Sequence, residues 1–170
     1  MSTPEFVLAL REKVGHAPLW MSGVTGVVVR DAAATDPAVL LVRRADTGAW
    51  TPVTGIIDPG EHPADAVVRE VAEEAGVEAV PVRLARVGVT EPGVYPNGDR
   101  VQFIDLTFRL EWTSGEPHPA DGENTEARWF AASDLPPMPD DMHVRVAEAL
   151  SDGERAAFQV AGAVVGSSAR

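Results

Sequence analysis

Residues 55–77 read GIIDPGEHPADAVVREVAEEAGV. The stretch opens as a glycine-containing loop and continues as a short helix carrying Arg69, Glu70, Glu73 and Glu74. Pro63 suits the first helical turn, where its missing N–H would have no intrahelical partner anyway. Gly76 suits the position just past the helix end. At ~100° per residue, with Glu70 set at zero, Glu73 falls near ~300° and Glu74 near ~40°. The three carboxylates therefore share one face, while Val68, Val71, Ala72 and Ala75 fall opposite and are expected to pack.

Carboxylates at i, i+4 destabilise a helix by roughly a few tenths of a kcal/mol. A divalent cation is the natural compensation. Hard oxygen donors select Mg²⁺, Mn²⁺ or Ca²⁺ over zinc, and the chain has no cysteine. The competing reading of an isolated E-x-x-E-E run is a solvated acidic face. The surrounding residues decide between the two. Gly55, Glu61, Arg69, Glu70, Val71, Glu73, Glu74, Gly76 and Val77 fill every fixed position of G-x5-E-x7-R-E-U-x-E-E-x-G-U, where U is aliphatic. The stretch thus resembles the Nudix box.

Working outward, residues 4–15 read as an amphipathic helix beginning at Pro4, and Ala17 to Gly23 as a link containing Trp20. Val24–Arg30 and Val39–Arg44 read as buried strands around a turn-rich DAAATDP. Trp50–Thr54 reads as a short strand delivering the chain to the loop. Beyond the box, Ala79–Thr90 and Val101–Trp112 form a hairpin, and Asn97-Gly98 between them predicts a type I′ turn. Thr113–Asn124 is a polar loop and Glu126–Ala131 a last strand. Asp140 or Asp141 is expected to cap a helix ending near Leu150. Residues 152–170 are ambiguous: ERAAFQVAGAVV is compatible with a helix, and GSSAR with a frayed end.

This order predicts a mixed sheet between helices on both sides. The resemblance implies the same α/β fold, a Nudix-type α/β/α sandwich. It is tight over residues 55–77 and looser over Val24–Ala131. At 170 residues, one domain over 1–170 is expected, with residues 1–20 and 140–170 outside the resembling part. The formal charge of −12 disfavours nucleic acid and anionic membranes as partners. It also calls for a cation wherever a phosphate is bound. The absence of cysteine, of a leader-like N-terminus and of any long apolar run fits a cytoplasmic protein.

Nudix proteins are mostly hydrolases of a nucleoside diphosphate linked to another group, and they use divalent cations. The resemblance implies Mg²⁺ (or Mn²⁺), a small-molecule nucleotide substrate and a homodimer. It implies Glu70 and Glu74 as metal ligands, with Glu73 as a further ligand or a neighbour of one. Glu61 either coordinates metal or pairs with Arg69. The Gly55 carbonyl is a frequent ligand in the family, and Arg69 orients the carboxylates. The general base comes from the box or from a distant loop, where Glu123 is the candidate and Glu126 the runner-up. Many members carry Pro-Gly-Gly before the box, whereas this chain has Pro52-Val53-Thr54-Gly55.

The cues for substrate conflict. A proline past the box, here Pro92, accompanies ADP-ribose hydrolysis in the family, and a tyrosine, here Tyr95, accompanies dinucleoside polyphosphate hydrolysis. An ADP-ribose-like compound is the preferred expectation, followed by nucleoside triphosphates and dinucleoside polyphosphates. Trp20, Trp50, Tyr95 and Phe103 are candidates to stack on a base, although such aromatics more often belong to the core. His16, His62, His118 and His143 show no ligand spacing and are expected at the surface. A Nudix-like isoprenoid diphosphate isomerase needs a catalytic cysteine that this chain lacks. A non-catalytic nucleotide-binding module is the remaining alternative, and the complete box argues against it.

Overall fold

The computed structural model describes residues 3–160 and 163–165. The elements are α1 (Glu5–Val14), β1 (Leu19–Arg30), β2 (Ala38–Arg44), β3 (Trp50–Thr51), β4 (Val53–Ile56), α2 (Pro63–Ala75) and β5 (Glu78–Val89). They continue with β6 (Gly93–Val94), β7 (Arg100–Ser114), β8 (Asn124–Ala131), α3 (Asp140–Leu150), β9 (Ala157–Val160) and β10 (Ala163–Val165). Among the described residues, no helix is long and apolar enough to cross a membrane.

The strands form one mixed sheet in the order β10-β9-β5-β7-β1-β2-β3, with β4 on β1, β6 on β7 and β8 on β2. The central pair β1–β7 is parallel and the β5–β7 hairpin antiparallel. Strand alternation sends successive β1 side chains to opposite faces. Val24 and Val28 pack with Val67 and Val71 of α2, whereas Val27 and Val29 pack with Val146 and Ala149 of α3. Val7 of α1 joins Met21, Ile56 and Val101 in a third cluster. The sheet is therefore covered on both sides, as expected of the sandwich.

Several local expectations are corrected. Leu19–Gly23 is not a link. It extends β1 in parallel register with Val101–Asp105, a pairing invisible to local sequence. The β5–β7 hairpin forms, but Asn97-Gly98 does not make a type I′ turn. Only Gly98 has a positive φ, and Tyr95 N–H donates to the Asp99 carbonyl while Gly98 N–H donates to that of Tyr95. Pro96 at the turn start favours this longer loop closed by one left-handed glycine. Neither Asp140 nor Asp141 caps α3, because Pro139 occupies the cap position and both aspartates lie in the first turn. There they face the positive end of the helix dipole. The segment after α3 is not helical: Ala157–Val160 pairs in parallel with β5 and carries β10 antiparallel beside it. Residues 166–170, expected to be frayed, lie outside the described residues.

Candidate active site

Helix α2 ends on Gly76 at φ 66°, the left-handed residue that the sequence placed there. Its orientation differs from the helical-wheel expectation. Ala66, Val67, Glu70, Val71, Glu74 and Ala75 are buried, whereas Ala72 and Glu73 are exposed. Val68 is only half-buried. Glu70 and Glu74 thus lie on the packing stripe, not opposite it. The helix thus turns two of its carboxylates, Glu70 and Glu74, inward.

Glu70 lies against the backbone of β4, and a Cβ on Gly55 would overlap its carboxylate. Only glycine lets that carboxylate rest on the strand. Arg69 gathers the remaining acids. Its Nε and Nη2 donate to the two oxygens of Glu61, both at 2.9 Å. Its Nη1 donates to Glu70 Oε1 at 2.9 Å and to Glu73 Oε2 at 3.2 Å. Nη2 also reaches the Ile56 carbonyl at 3.2 Å. The Arg69 fork holds the Glu61 carboxyl below its ordinary range. Burial pushes Glu70 up, against the pull of Arg69.

Glu74 is the most enclosed acid of the cluster, at 2% exposure. Asn124 Nδ2 donates to its Oε2 at 2.9 Å, and its Oε1 is buried without a hydrogen-bond partner. Burial raises its carboxyl to about 7. The sequence pointed to Glu123 in this loop and not to Asn124 beside it. The loop is tied to the end of α2 by His118 N–H to the Ala75 carbonyl and Ala120 N–H to the Glu74 carbonyl.

Beside this cluster opens a cavity of about 790 Å³, bordered at this end by Thr54, Gly55, Arg44 and Glu123. Arg44, another residue missed in the sequence, forks onto both oxygens of Asp46 at 2.9 and 2.8 Å. Its charge is felt by Glu74 and Tyr95. Glu123 and Tyr95 line the cavity, while Pro92 does not and is exposed. Trp20 is 60% exposed and borders a separate shallow depression with Phe6 and Pro59. Glu126 is paired with Arg43 and Arg128. All four histidines are exposed, as expected. Among the described residues, no three His, Asp or Glu side chains converge tightly enough to hold a metal by themselves. A buried carboxylate oxygen without a partner, one helical turn from a second buried carboxylate, nevertheless fits a hard divalent cation.

A mixed sheet between helices thus carries two buried carboxylates, Glu70 and Glu74, on α2 beside the Gly55 end of the cavity. A model described as NUDIX domain matches residues 21–152, so the chain belongs to the Nudix family. That match reaches beyond the box into α1's neighbouring strand and through α3. A MutT-like protein of Streptomyces ambofaciens is 36% identical over 132 residues, 77% of this chain and 72% of its own length. The NAD-capped RNA hydrolase NudC of Deinococcus radiodurans is 34% identical over 115 residues, 66% of this chain. This chain spans only 38% of that protein's length. An ADP-ribose pyrophosphatase of Streptococcus suis has the same fold, with a TM-score of 0.63 at 21% identity, covering 82% of this chain and 98% of its own.

Proposed function

We propose that the chain is a divalent-metal-dependent pyrophosphohydrolase acting on a nucleoside diphosphate linked to another group, with ADP-ribose-like compounds preferred. The observation that carries this reading is the Glu74 carboxylate, buried beside Glu70 with one oxygen lacking a partner. Glu70, Glu74 and the Gly55 carbonyl would hold Mg²⁺ or Mn²⁺. When bound, the ion supplies charge neutralisation and Lewis acidity at the diphosphate. Glu61 and Glu73 serve Arg69 in this reading, and Arg69 orients Glu70. Arg44 lines this end of the cavity with its guanidinium already forked on Asp46. Glu123 takes the proton as water attacks phosphorus and the bond to the leaving phosphate breaks. The products are a nucleoside monophosphate and the phosphorylated partner group. Two similar proteins have names that refer to NAD caps and to ADP-ribose, and NAD itself contains the ADP-ribose unit.

The test is hydrolysis of ADP-ribose, NAD, nucleoside triphosphates and dinucleoside polyphosphates with Mg²⁺ or Mn²⁺, with chromatographic identification of the products. ADP-ribose is expected to yield AMP and ribose 5-phosphate, and Glu74→Gln to abolish this in a folded protein. No turnover on any compound, combined with tight binding of one, would make the protein a binding module instead.

A further inference from the structure

We infer that Arg11, on α1, is a positioning residue for the substrate: it ties the loop of residues 91–99, which carries Tyr95, to the end of α1 and so fixes one wall of the cavity. The inference rests on the nucleotide reading above and adds what holds the cavity in shape. Arg11 commits its guanidinium to main-chain acceptors. Nη1 donates to the Gly15 and Ala17 carbonyls at 3.0 and 2.7 Å, and Nη2 to the Arg100 carbonyl at 2.9 Å. Its side chain is only 10% exposed, and its Nε lies 3.4 Å from Asp99 Oδ1. The tie is returned from the other side. Arg100 Nε donates to the His16 carbonyl at 3.1 Å, and His16 Nδ1 lies 2.8 Å from Asp99 Oδ1. Asp99 passes the restraint along the loop. Its carbonyl accepts from Tyr95 N–H at 2.9 Å, and its Oδ2 accepts from Asn97 Nδ2 at 3.0 Å.

Both partners need the tie. The loop is anchored at Thr90 by Gln102 and Phe103, but beyond it β6 is two residues long and pairs with β7 through Gly93 and Val94. In α1 the buried side chain is Val7, while Leu8, Leu10 and Val14 are exposed. Both partners also line the cavity, through Val7 and Arg11 of α1 and Tyr95, Asn97 and Asp99 of the loop. Arg44 and Asp46 line it as well, and Tyr95 feels the charge of each. A shift of the loop against α1 therefore changes the width of the cavity and carries Tyr95 with it. Side chains that must meet a ligand in one geometry are held by groups behind them. With Nη1 on two carbonyls and Nη2 on a third, Arg11 is such a brace and not an anion ligand. Lysine has one nitrogen and cannot span the three carbonyls. The brace comes from a helix ahead of residues 21–152, the part matched to the family.

The experiment is a double-mutant cycle of Arg11→Lys and Tyr95→Ala in the full chain, with Mg²⁺ and ADP-ribose or whichever compound of the panel above turns over. Lysine keeps a positive charge beside Asp99 and loses the fork. Arg11→Lys is expected to raise KM about tenfold with kcat little changed, and to add less than about twofold once Tyr95 is alanine. Equal factors in both backgrounds, or kcat and kcat/KM falling together in step with the folded fraction, overturn the inference. Amide hydrogen exchange read by mass spectrometry tests the tie without turnover. Residues 93–99 should exchange about tenfold faster in Arg11→Lys, while α2 stays as protected as before. Unchanged exchange in that loop, or faster exchange with an unchanged KM, overturns the inference. Should the lysine variant not fold, His16→Ala removes a contact to Asp99 from an exposed position, and it must move KM and exchange in the same direction. If no compound is hydrolysed, the pyrophosphohydrolase reading fails by itself. Calorimetric binding of ADP-ribose without metal then stands in for KM, and Arg11→Lys must weaken it.

Discussion

Asn124 donates from Nδ2 to Glu74 Oε2 at 2.9 Å, a bond between residues 50 apart in sequence that leaves the other oxygen of the same carboxylate free in the interior. The bond determines which oxygen faces the site. Asn124→Leu removes it while keeping the volume. An enclosed carboxylate then loses its one hydrogen bond, which destabilises the fold by about 1–3 kcal/mol. Activity is expected to fall by more than the remaining folded fraction explains. Thermal melts alongside kcat/KM check this, and activity that merely follows the folded fraction would make Asn124 a structural residue only.

Arg69 makes five hydrogen bonds, to Glu61, Glu70, Glu73 and the Ile56 carbonyl. Lysine cannot reproduce the fork. Because the guanidinium is about one-third exposed, solvent weakens these pairs, and Arg69→Lys is expected to destabilise by only about 1–2 kcal/mol. The larger effect falls on Glu70, which loses its orienting partner. We expect weaker Mg²⁺ dependence of both melting temperature and rate, read by titrating the metal against each. A variant with normal metal dependence would mean that Glu61 and Glu73 are not held for the sake of Glu70.

The box was legible because its chemistry is local: nine fixed positions within one loop and helix. The helix orientation was not, because a wheel assigns charged residues to water, and Glu70 and Glu74 are buried. The strands at the centre were readable from their valines. Leu19–Gly23 and Ala157–Val160 were not, because each is held by a parallel partner distant in sequence. The same reason hid Asn124, Arg44 and Arg11. Each is an ordinary polar residue until the fold brings it to Glu74, to the cavity mouth or to the Arg100 carbonyl. Of the substrate cues, Tyr95 reached the cavity, whereas Pro92 and Trp20 did not.

Metal-free protein is expected to lose stability as pH rises through the range of Glu74. Unfolded, this carboxyl ionises near its ordinary 4.5, whereas folded it does so near about 7. Between those values the native state holds a proton that the unfolded chain has released, so stability falls with rising pH. Glu70, also pushed up by burial, acts in the same direction. Glu61, held low by Arg69, acts in the opposite direction but only below its ordinary value. With chelator present, the loss between about pH 5 and about pH 8 is on the order of 2 kcal/mol. Glu74→Gln should flatten the profile, and millimolar Mg²⁺ should raise its alkaline side by mass action. Melting curves across this range check all three, and a profile unaltered by Glu74→Gln would mean that the carboxylate is not buried in solution.

Gly55→Ala isolates the contact between the Glu70 carboxylate and β4. The backbone at Gly55 does not need a positive φ, so alanine is conformationally allowed there. What it cannot do is share space with the Glu70 carboxylate, which occupies the position of the new Cβ. Glu70 is carried by a helix packed through Val67 and Val71, and the side chain can give way more easily than the helix. It must therefore rotate off β4, leaving Arg69 Nη1 and displacing one donor from the proposed ion site. The expected outcome is a folded protein destabilised by about 1–3 kcal/mol, as overpacking gives. Its Mg²⁺-induced rise in melting temperature should be lost, and its rate should fall by about a hundredfold. Retention of that rise would place the ion away from Glu70 and Gly55, with Glu74 alone as its carboxylate.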